Sequence, residues 1–347
     1  MSALGRLYRG DFKIDFIGRR RLWLIISSTA VVIAILSLLI RQFNLSVDFE
    51  GGTVVEVPNF AAASLEDARS AVGDAGFAGA RVQVVESDVD KFRVQTEALS
   101  GADQDRLIGV LVEVAEANPD DAFLEAVGPT FGAQITERAI RALVIFLIVI
   151  ALFITFRFEW KMALAALAAL FHDLFITAGI YSLVGFEVTP ATVIAVLTIL
   201  GYSLYDTVVV FDKVQENIDE HGDRHTFPEL ANFSMNQVLM RSINTSLTSL
   251  LPIGSLLFVG SYLLGASTLR EFALALFIGV AAGTYSSIFV ATPLLSWWKE
   301  REPEWQRMQR RSERAAKISG SDAPLEAVPD VSLPAPVARP PKRRKRR

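Results

Sequence analysis

The stretch Pro190-ATVIAVLTILGYSLYDTVVV-Phe211 decides how the rest of the chain is read. It is apolar and close to the roughly 20 residues that a helix needs to cross a bilayer, yet it carries Asp206. An ionised carboxylate in hydrocarbon costs at least about 2.5–3.5 kcal/mol, so such residues are rare unless they have a task. Two tasks fit. One is an ion or proton site facing the inside of a helix bundle; the other is a structural hydrogen bond to a neighbouring helix.

Outward from this stretch, five more segments are apolar enough to span. With it they run Leu22–Ile40, Ala139–Phe156, Met162–Val184, Ala191–Phe211, Ile243–Leu264 and Phe272–Trp298. A mean hydropathy of +0.36 and 51% hydrophobic residues suit a polytopic α-helical membrane protein with a sizeable water-soluble part. Trp23, Trp160, Trp297 and Trp298 lie at span ends, where amphipathic rings favour the headgroup region. Arg6, Arg9, Lys13 and Arg19-Arg20-Arg21 precede span one, which predicts a cytoplasmic amino-terminal segment, residues 1–21. Arg157–Lys161, the loop 212–241 and a carboxyl-terminal tail 299–347 then also fall inside, and Gly185–Thr189 falls outside. Arg138 and Arg141 run against this bias without outweighing it. The first apolar run is too long for a cleaved signal peptide, and no small-x-small site follows, so it is expected to stay as transmembrane helix 1, residues 22–40. Spans two to six occupy 138–298.

Residues 41–137 form the one large polar region between spans. Six Lys/Arg against eighteen Asp/Glu give it a net charge near −12, as suits a translocated domain. Thr53–Val57 alternates as a strand, and Ser64-LEDARSAVGDAG reads as a helix capped by Ser64 and ended near Gly76. Arg81–Glu86 and Lys91–Glu97 are strands joined by a turn at Ser87–Asp90. Ala102–Ala117 is a second helix and Phe123–Val127 a last strand. The order βαββαβ predicts an α+β domain on the ferredoxin-like, split βαβ plan.

Much chemistry is excluded. With no cysteine there is no disulfide, thiolate site or catalytic thiol. The three histidines do not cluster: His172 lies in a span, His221 and His225 in a polar loop with no third ligand evident. No P-loop, GxSxG, HExxH or Rossmann pattern appears. The expectation is a protein that is not an enzyme, holds no cofactor or metal, and draws no energy from an ATPase of its own. The tail is rich in Ala, Pro and Val over Ser319–Pro341, as disordered segments are, and ends in six cations, Lys342–Arg347. Those cations suit anionic lipid headgroups, ribosomal RNA, or topology alone.

Four motifs name a family. Val47-Asp-Phe-Glu-Gly-Gly-Thr53, just after span one, resembles the D-F-x-G-G-T element of the SecF family of protein-export membrane subunits. Gly201-Tyr-Ser-Leu-Tyr-Asp-Thr-Val-Val-Val-Phe-Asp212 is similar to that family's fourth span, and Arg241-Ser-Ile-Asn-Thr-Ser246 to its fifth. The opening Asp11-Phe-Lys-Ile-Asp-Phe16 matches as well, as does the plan of one span, an exported domain and five spans. The resemblance runs from about Phe12 to Trp298 and leaves out the tail. It departs at Tyr205, where the family often has Asn.

The resemblance implies a six-span half-transporter of the RND type in the bacterial cytoplasmic membrane, with both termini cytoplasmic. Its implied partners are a SecD-like subunit, the SecYEG channel, the translocating polypeptide and membrane lipids. The implied work is late-stage export driven by the proton-motive force, with H⁺ or Na⁺ as coupling ion. A small-molecule or lipid exporter half and a non-transporting translocon scaffold are the other classes open to such a chain.

Several residues are candidates for the coupling. Span four descends and span five rises, so Arg241 is expected near the level of Asp206 and able to form a salt bridge that gates its proton. Tyr202 and Ser203, at i−4 and i−3, share a helical face with Asp206 and are placed to hydrogen-bond it, or else to pack between helices. His172-Asp173 is a second ionisable pair near mid-span, either a relay member or a structural pair. Asn244, Thr245, Ser246, Thr248 and Ser249, with Pro252, make the inner half of span five polar. The junction Asp48, Phe49, Gly51, Gly52 and Thr53 is either a sharp turn into the exported domain or a hinge that transmits motion to it. Thr226-Phe-Pro-Glu229 reads as a capping box that opens an amphipathic helix before span five.

Overall fold

The computed structural model describes residues 14–85, 89–263 and 267–318. The first residues of the amino terminus, Ser87 and Asp88 of the turn expected at Ser87–Asp90, and the tail from 319 onward lie outside the described residues. Among the described residues, six helices are long and apolar enough to cross a membrane: Arg20–Arg41, Pro129–Arg157, Trp160–Val184, Pro190–His221, Phe227–Gly260 and Leu269–Lys299. All six apolar segments read from the sequence lie within them or overlap them.

The helix ends differ from the expected boundaries, for local reasons. Span two starts at Pro129, ten residues before its apolar stretch, because Gly128 and a proline at the first helical position start the helix on the polar side. The segment 212–241 is not a loop. Span four continues to His221, and span five starts at Phe227, closed by a Thr226–Glu229 capping box with Pro in its first turn. The two extensions pack together. Asn217, buried, donates to Ser234 Oγ at 2.7 Å and to Gln237 at 2.9 Å.

Close packing between spans depends on small residues, which let backbones approach where lipid supplies no hydrophobic drive. A Cβ added to Gly179 of span three would sit 2.3 Å from Ala34 Cβ of span one. One added to Gly279 of span six would meet Ile199 of span four at 2.2 Å, and one at Gly283 would meet Ser203 Cβ at 2.9 Å. Spans five and six also carry π-helical turns, Leu256–Leu263 and Ser287–Ala291. The amino-terminal segment is threaded under the bundle. Asn236 and Asn232 accept from the backbone N–H groups of Ile14 and Phe16, both at 2.8 Å, and Phe16 and Ile17 are buried in the same core as Met162, Phe211 and Phe227.

Between spans one and two the chain forms strands β1 (Asn44–Leu45), β2 (Gly52–Pro58), β3 (Arg81–Val85), β4 (Lys91–Thr96) and β5 (Phe123–Val127), with helices Leu65–Asp74 and Gly101–Ala115. The four-stranded sheet runs β3-β4-β2-β5 with every neighbour antiparallel. Alternation places Val55, Val57, Phe92 and Val94 on the buried face against Ala68, Val72, Leu107 and Leu111 of the helices. Ser64 and Asp67 close a full capping box, which pulls the Asp67 carboxyl below its usual range.

Two contacts tie this domain to the spans. Strand β1 pairs in parallel with β6 (Glu187–Val188), the link between spans three and four. Arg93 of β4 bridges Glu187 at 2.9 Å and Glu56 at 3.3 Å. Burial raises the carboxyls of Glu187 and Glu125. Arg93 opposes this, while the surrounding Asp48 and Glu56 add to it.

Two outcomes are expected. Gly179→Leu forces spans one and three apart and should lower the thermal midpoint of the detergent-solubilised protein, at a cost of about 1–3 kcal/mol. Glu187 and Glu125 hold their protons more tightly folded than unfolded. The stability they contribute is therefore full below the ordinary glutamate range and is lost as pH rises through their raised native values. Lowering the pH from 7 to 5.5 should increase hydrogen-exchange protection of β2 and β5, after correction for intrinsic rates.

Candidate functional site

Spans three, four, five and six bring two carboxylates into the bundle interior, each in a different setting. Asp173, on span three, is fully buried. Its Oδ2 accepts from Ser203 of span four at 2.5 Å and from Ser286 of span six at 2.8 Å, and its Oδ1 lies 3.0 Å from His172 Nδ1. The His172 ring stacks on Tyr285, 6.0 Å between centroids, and the Tyr285 hydroxyl meets Ser27 of span one at 3.0 Å. Both oxygens of Asp173 are thus satisfied, and four spans meet around it.

Asp206 is also buried, but only half satisfied. Its Oδ1 accepts from Ser242 of span five at 2.7 Å, whereas Oδ2 is buried and has no hydrogen-bond partner among the described residues. A buried carboxylate oxygen left open is rare enough in proteins to call for an explanation. Hydroxyl groups also join spans four, five and six around the acids. Thr207 meets Ser287 at 2.9 Å, Ser287 donates to the Ser203 carbonyl at 3.3 Å, and Ser246 meets Thr284 at 2.8 Å. Hydroxyls donate and accept at once, so the array suits proton movement between fixed positions.

The structure sorts the candidates. His172, Asp173 and Ser203 come together, but Ser203 serves Asp173 and not Asp206. Tyr202 is half-buried, and no hydrogen bond joins it to Asp206. The expected salt bridge between Asp206 and Arg241 is not made; Arg241 donates to the Tyr205 hydroxyl at 3.1 Å. Successive helical residues point about 100° apart. Asp206 and Ser242 therefore face inward together, while their neighbours Tyr205 and Arg241 face outward together. Tyr205 is 51% exposed, and Arg241, Asn244 and Thr248 are exposed on the same span-five surface. Sequence reasoning missed Ser242, Thr284, Tyr285, Ser286 and Ser287. The run Thr284-Tyr-Ser-Ser287 inside an apolar span was the signal available.

The junction residues form a compact knot. Asp48 and Phe49 belong to a short helix, Val47–Glu50. Gly51 and Gly52 both have positive φ, +77° and +140°. A Cβ on Gly51 would lie 2.7 Å from Pro129 Cα, and one on Gly52 2.4 Å from the Thr96 carbonyl oxygen. Thr136 of span two donates to the Phe49 carbonyl at 3.3 Å, and buried Thr53 accepts from Leu99 N–H at 3.2 Å. The glycine pair is thus required for both the turn and the close approach. No group of three or more metal-ligating side chains occurs among the described residues.

A polytopic bundle with paired intramembrane acids and a domain after span one defines a membrane-transport class, and the comparisons narrow it. Residues 109–301 match the family "Protein export membrane protein SecD/SecF, C-terminal", and residues 36–58 match the "SecD/SecF GG Motif". The chain is 44% identical over 345 residues to the protein translocase subunit SecF of Mycobacterium tuberculosis, covering 94% of this chain and 76% of that one. It is 42% identical over 317 residues to the SecF subunit of Streptomyces coelicolor, covering 90% and 84%. The crystal structure of SecDF from Thermus thermophilus, described as a translocon-associated membrane protein, superposes with a TM-score of 0.76 at 36% identity. That superposition covers 84% of this chain and 39% of SecDF. The chain belongs to the SecF family.

The two acids should respond differently to substitution. Asp173→Ala strands Ser203, Ser286 and His172 at once and should cost about 3–5 kcal/mol, since each buried polar group left unsatisfied costs about 1–3 kcal/mol. Asp206→Asn keeps an acceptor for Ser242 and should cost under about 1.5 kcal/mol. Thermal unfolding of the purified variants checks both.

Proposed function

We propose that this chain is an accessory subunit of the Sec protein translocase, one half of a proton-driven pair that moves polypeptide outward across the cytoplasmic membrane. The observation that carries this reading is the open oxygen of Asp206. It lies beside the hydroxyl array, where a titrating carrier needs a position free to take and give a proton. Asp173, closed by its hydrogen bonds, is the fixed end of the array. Arg241 is held one residue to the side by Tyr205. Releasing that bond would let the guanidinium approach Asp206, favour its ionised form and so time proton release. H⁺ fits this geometry without a ligand cage, whereas Na⁺ would need more oxygens converging on Asp206.

Pairing with a SecD-like subunit is supported by what the bundle exposes. Tyr205, Arg241, Asn244 and Thr248 lie on outer faces of spans four and five, at depths where polar groups facing lipid are costly. SecDF of Thermus thermophilus is one longer chain of which this chain spans 39%. A second half covering that polar face would resolve the cost. The cation bias supports cytoplasmic termini, and the chain then places its domain outside. There the all-antiparallel order β3-β4-β2-β5 supports the ferredoxin-like plan. The domain's role would be mechanical: β1 on β6, and the glycine knot on span two, link it to spans two, three and four.

The test is export in inverted membrane vesicles carrying the chain with its SecD-like partner, measured after ATP is exhausted. Asp206→Asn should abolish the response to an imposed proton gradient, a loss of about tenfold or more if proton transfer is obligatory. Arg241→Lys keeps the charge without the planar fork and should retain partial export. The double variant should be no worse than Asp206→Asn alone. Normal gradient-driven export by Asp206→Asn would make the carboxylate structural and favour a scaffold.

A further inference from the structure

The end of the bundle where span one starts and span six closes holds a cleft of about 480 Å³ outside the proposed proton site. It is lined by Arg20 of span one, by Trp297, Glu300 and Arg301 at the close of span six, and by Gln306 and Arg310 of the following helix. That helix, Pro303–Ile318, is fixed in place. Trp305 is buried and packs edge-on against Phe227 at 5.3 Å, so the far wall of the cleft is held against the start of span five.

The charges in the cleft are unbalanced. Glu300 is already neutralised by an ion pair with Arg20 and accepts from Ser296 at 2.9 Å. Arg301 and Arg310 make no ion pair among the described residues. The Arg301 guanidinium stacks on the Trp297 ring at 3.9 Å. Stacking holds the guanidinium plane in place while its N–H edges stay free to donate. Trp297 is 39% exposed at the end of a span, which sets the cleft at headgroup depth. A pre-oriented guanidinium, a second unpaired one and the Gln306 amide, which has a second N–H besides the one donated to the Arg301 carbonyl at 3.4 Å, form a donor set around one space suited to phosphate oxygens.

We propose that this cleft binds the phosphate headgroup of an anionic phospholipid, one molecule per chain, between span six and the helix that follows it. Its assignment to the inner leaflet rests on the cytoplasmic orientation proposed above; the binding itself does not. A lipid is favoured over a free anion because the cleft opens beside the membrane-spanning ends of spans one and six. The acyl chains can then lie on apolar flank such as Leu22 and Ile26, which is exposed.

The experiment is native mass spectrometry of the full chain in detergent, titrated with phosphatidylglycerol, with phosphatidylcholine, or with inorganic phosphate. Variants are Arg301→Gln/Arg310→Gln and, as a charge-matched control, Arg138→Gln/Arg141→Gln on span two. The wild type and the control should retain one phosphatidylglycerol that the cleft variant binds about 30-fold more weakly, at about 1 kcal/mol per cation. Phosphatidylcholine should bind weakly to all three. Equal loss in both variants, equal retention of phosphatidylcholine, or displacement of the lipid by equimolar inorganic phosphate would each overturn the proposal. Since export is not measured, these outcomes do not depend on whether Asp206 carries a proton.

Discussion

The carboxylate of Asp173 organises the bundle. In hydrocarbon each donor and acceptor must find its partner inside the protein, and Asp173 draws Ser203, Ser286 and His172 onto one group. Those bonds need backbones closer than large side chains permit. Gly283 allows span six to approach Ser203, and Gly279 fits against Ile199. The π-helical turn that begins at Ser287 shifts the phase of span six immediately after Ser286. A π-turn costs hydrogen-bond quality within a helix and occurs mostly where function needs a residue displaced. Here it begins at Ser287, directly after the serine that serves Asp173.

The spans and the domain between spans one and two were legible because each obeys a short-range rule. Hydrocarbon demands long apolar runs, and the sheet demands alternation, so Thr53–Val57 and Lys91–Glu97 could be placed by eye. Where span four ends was not legible. Asp212 to Glu220 is polar and reads as a loop, but the helix persists because Asn217 is buried on Ser234 and Gln237, residues seventeen and twenty positions away. The acids of the site were visible by their cost, since Asp173 and Asp206 stand in apolar surroundings. Serines are not, because a hydroxyl in a membrane helix can satisfy itself on the carbonyl four residues back, as Ser246 and Thr284 both do. Nothing in the sequence separates such a residue from Ser242 or Ser286, which reach across to a carboxylate. The Asp206–Arg241 pair failed for a related reason. Axial height was counted correctly, but rotation about the helix sets Arg241 on the outer face.

Rotation also explains why Tyr205 matters. A phenol stands beside the acid here and engages Arg241 from outside the bundle. A longer side chain carries the hydrogen bond further from the helix axis, so the guanidinium rests further from Asp206 than an amide would hold it. On the proposed mechanism, that resting bond sets how much Arg241 must move before Asp206 is driven to ionise.

Span four joins the domain's attachment at its start to Asp206, the proposed proton site, at its middle. Span four begins immediately after β6, which is paired with β1 and held through Glu187 by Arg93 of the sheet. Sixteen residues beyond Pro190 the same helix carries Asp206. A helix transmits rotation and translation along its length with little loss, whereas a loop would absorb them. The glycine knot supplies the second constraint. Gly51 and Gly132 lie so close that the entrance to the domain and the start of span two behave as one packed piece. A change in charge at Asp206 that turns span four must therefore either break the β1–β6 pairing or carry the domain with it. The pairing is two residues long on each side, but the Arg93 bridge and the Asn44 contacts to Gly185 and Arg81 reinforce it. With those attachments made at the domain end of span four, moving the domain is the lower-cost response on the proposed mechanism, and force generated at the acid would then emerge at the domain.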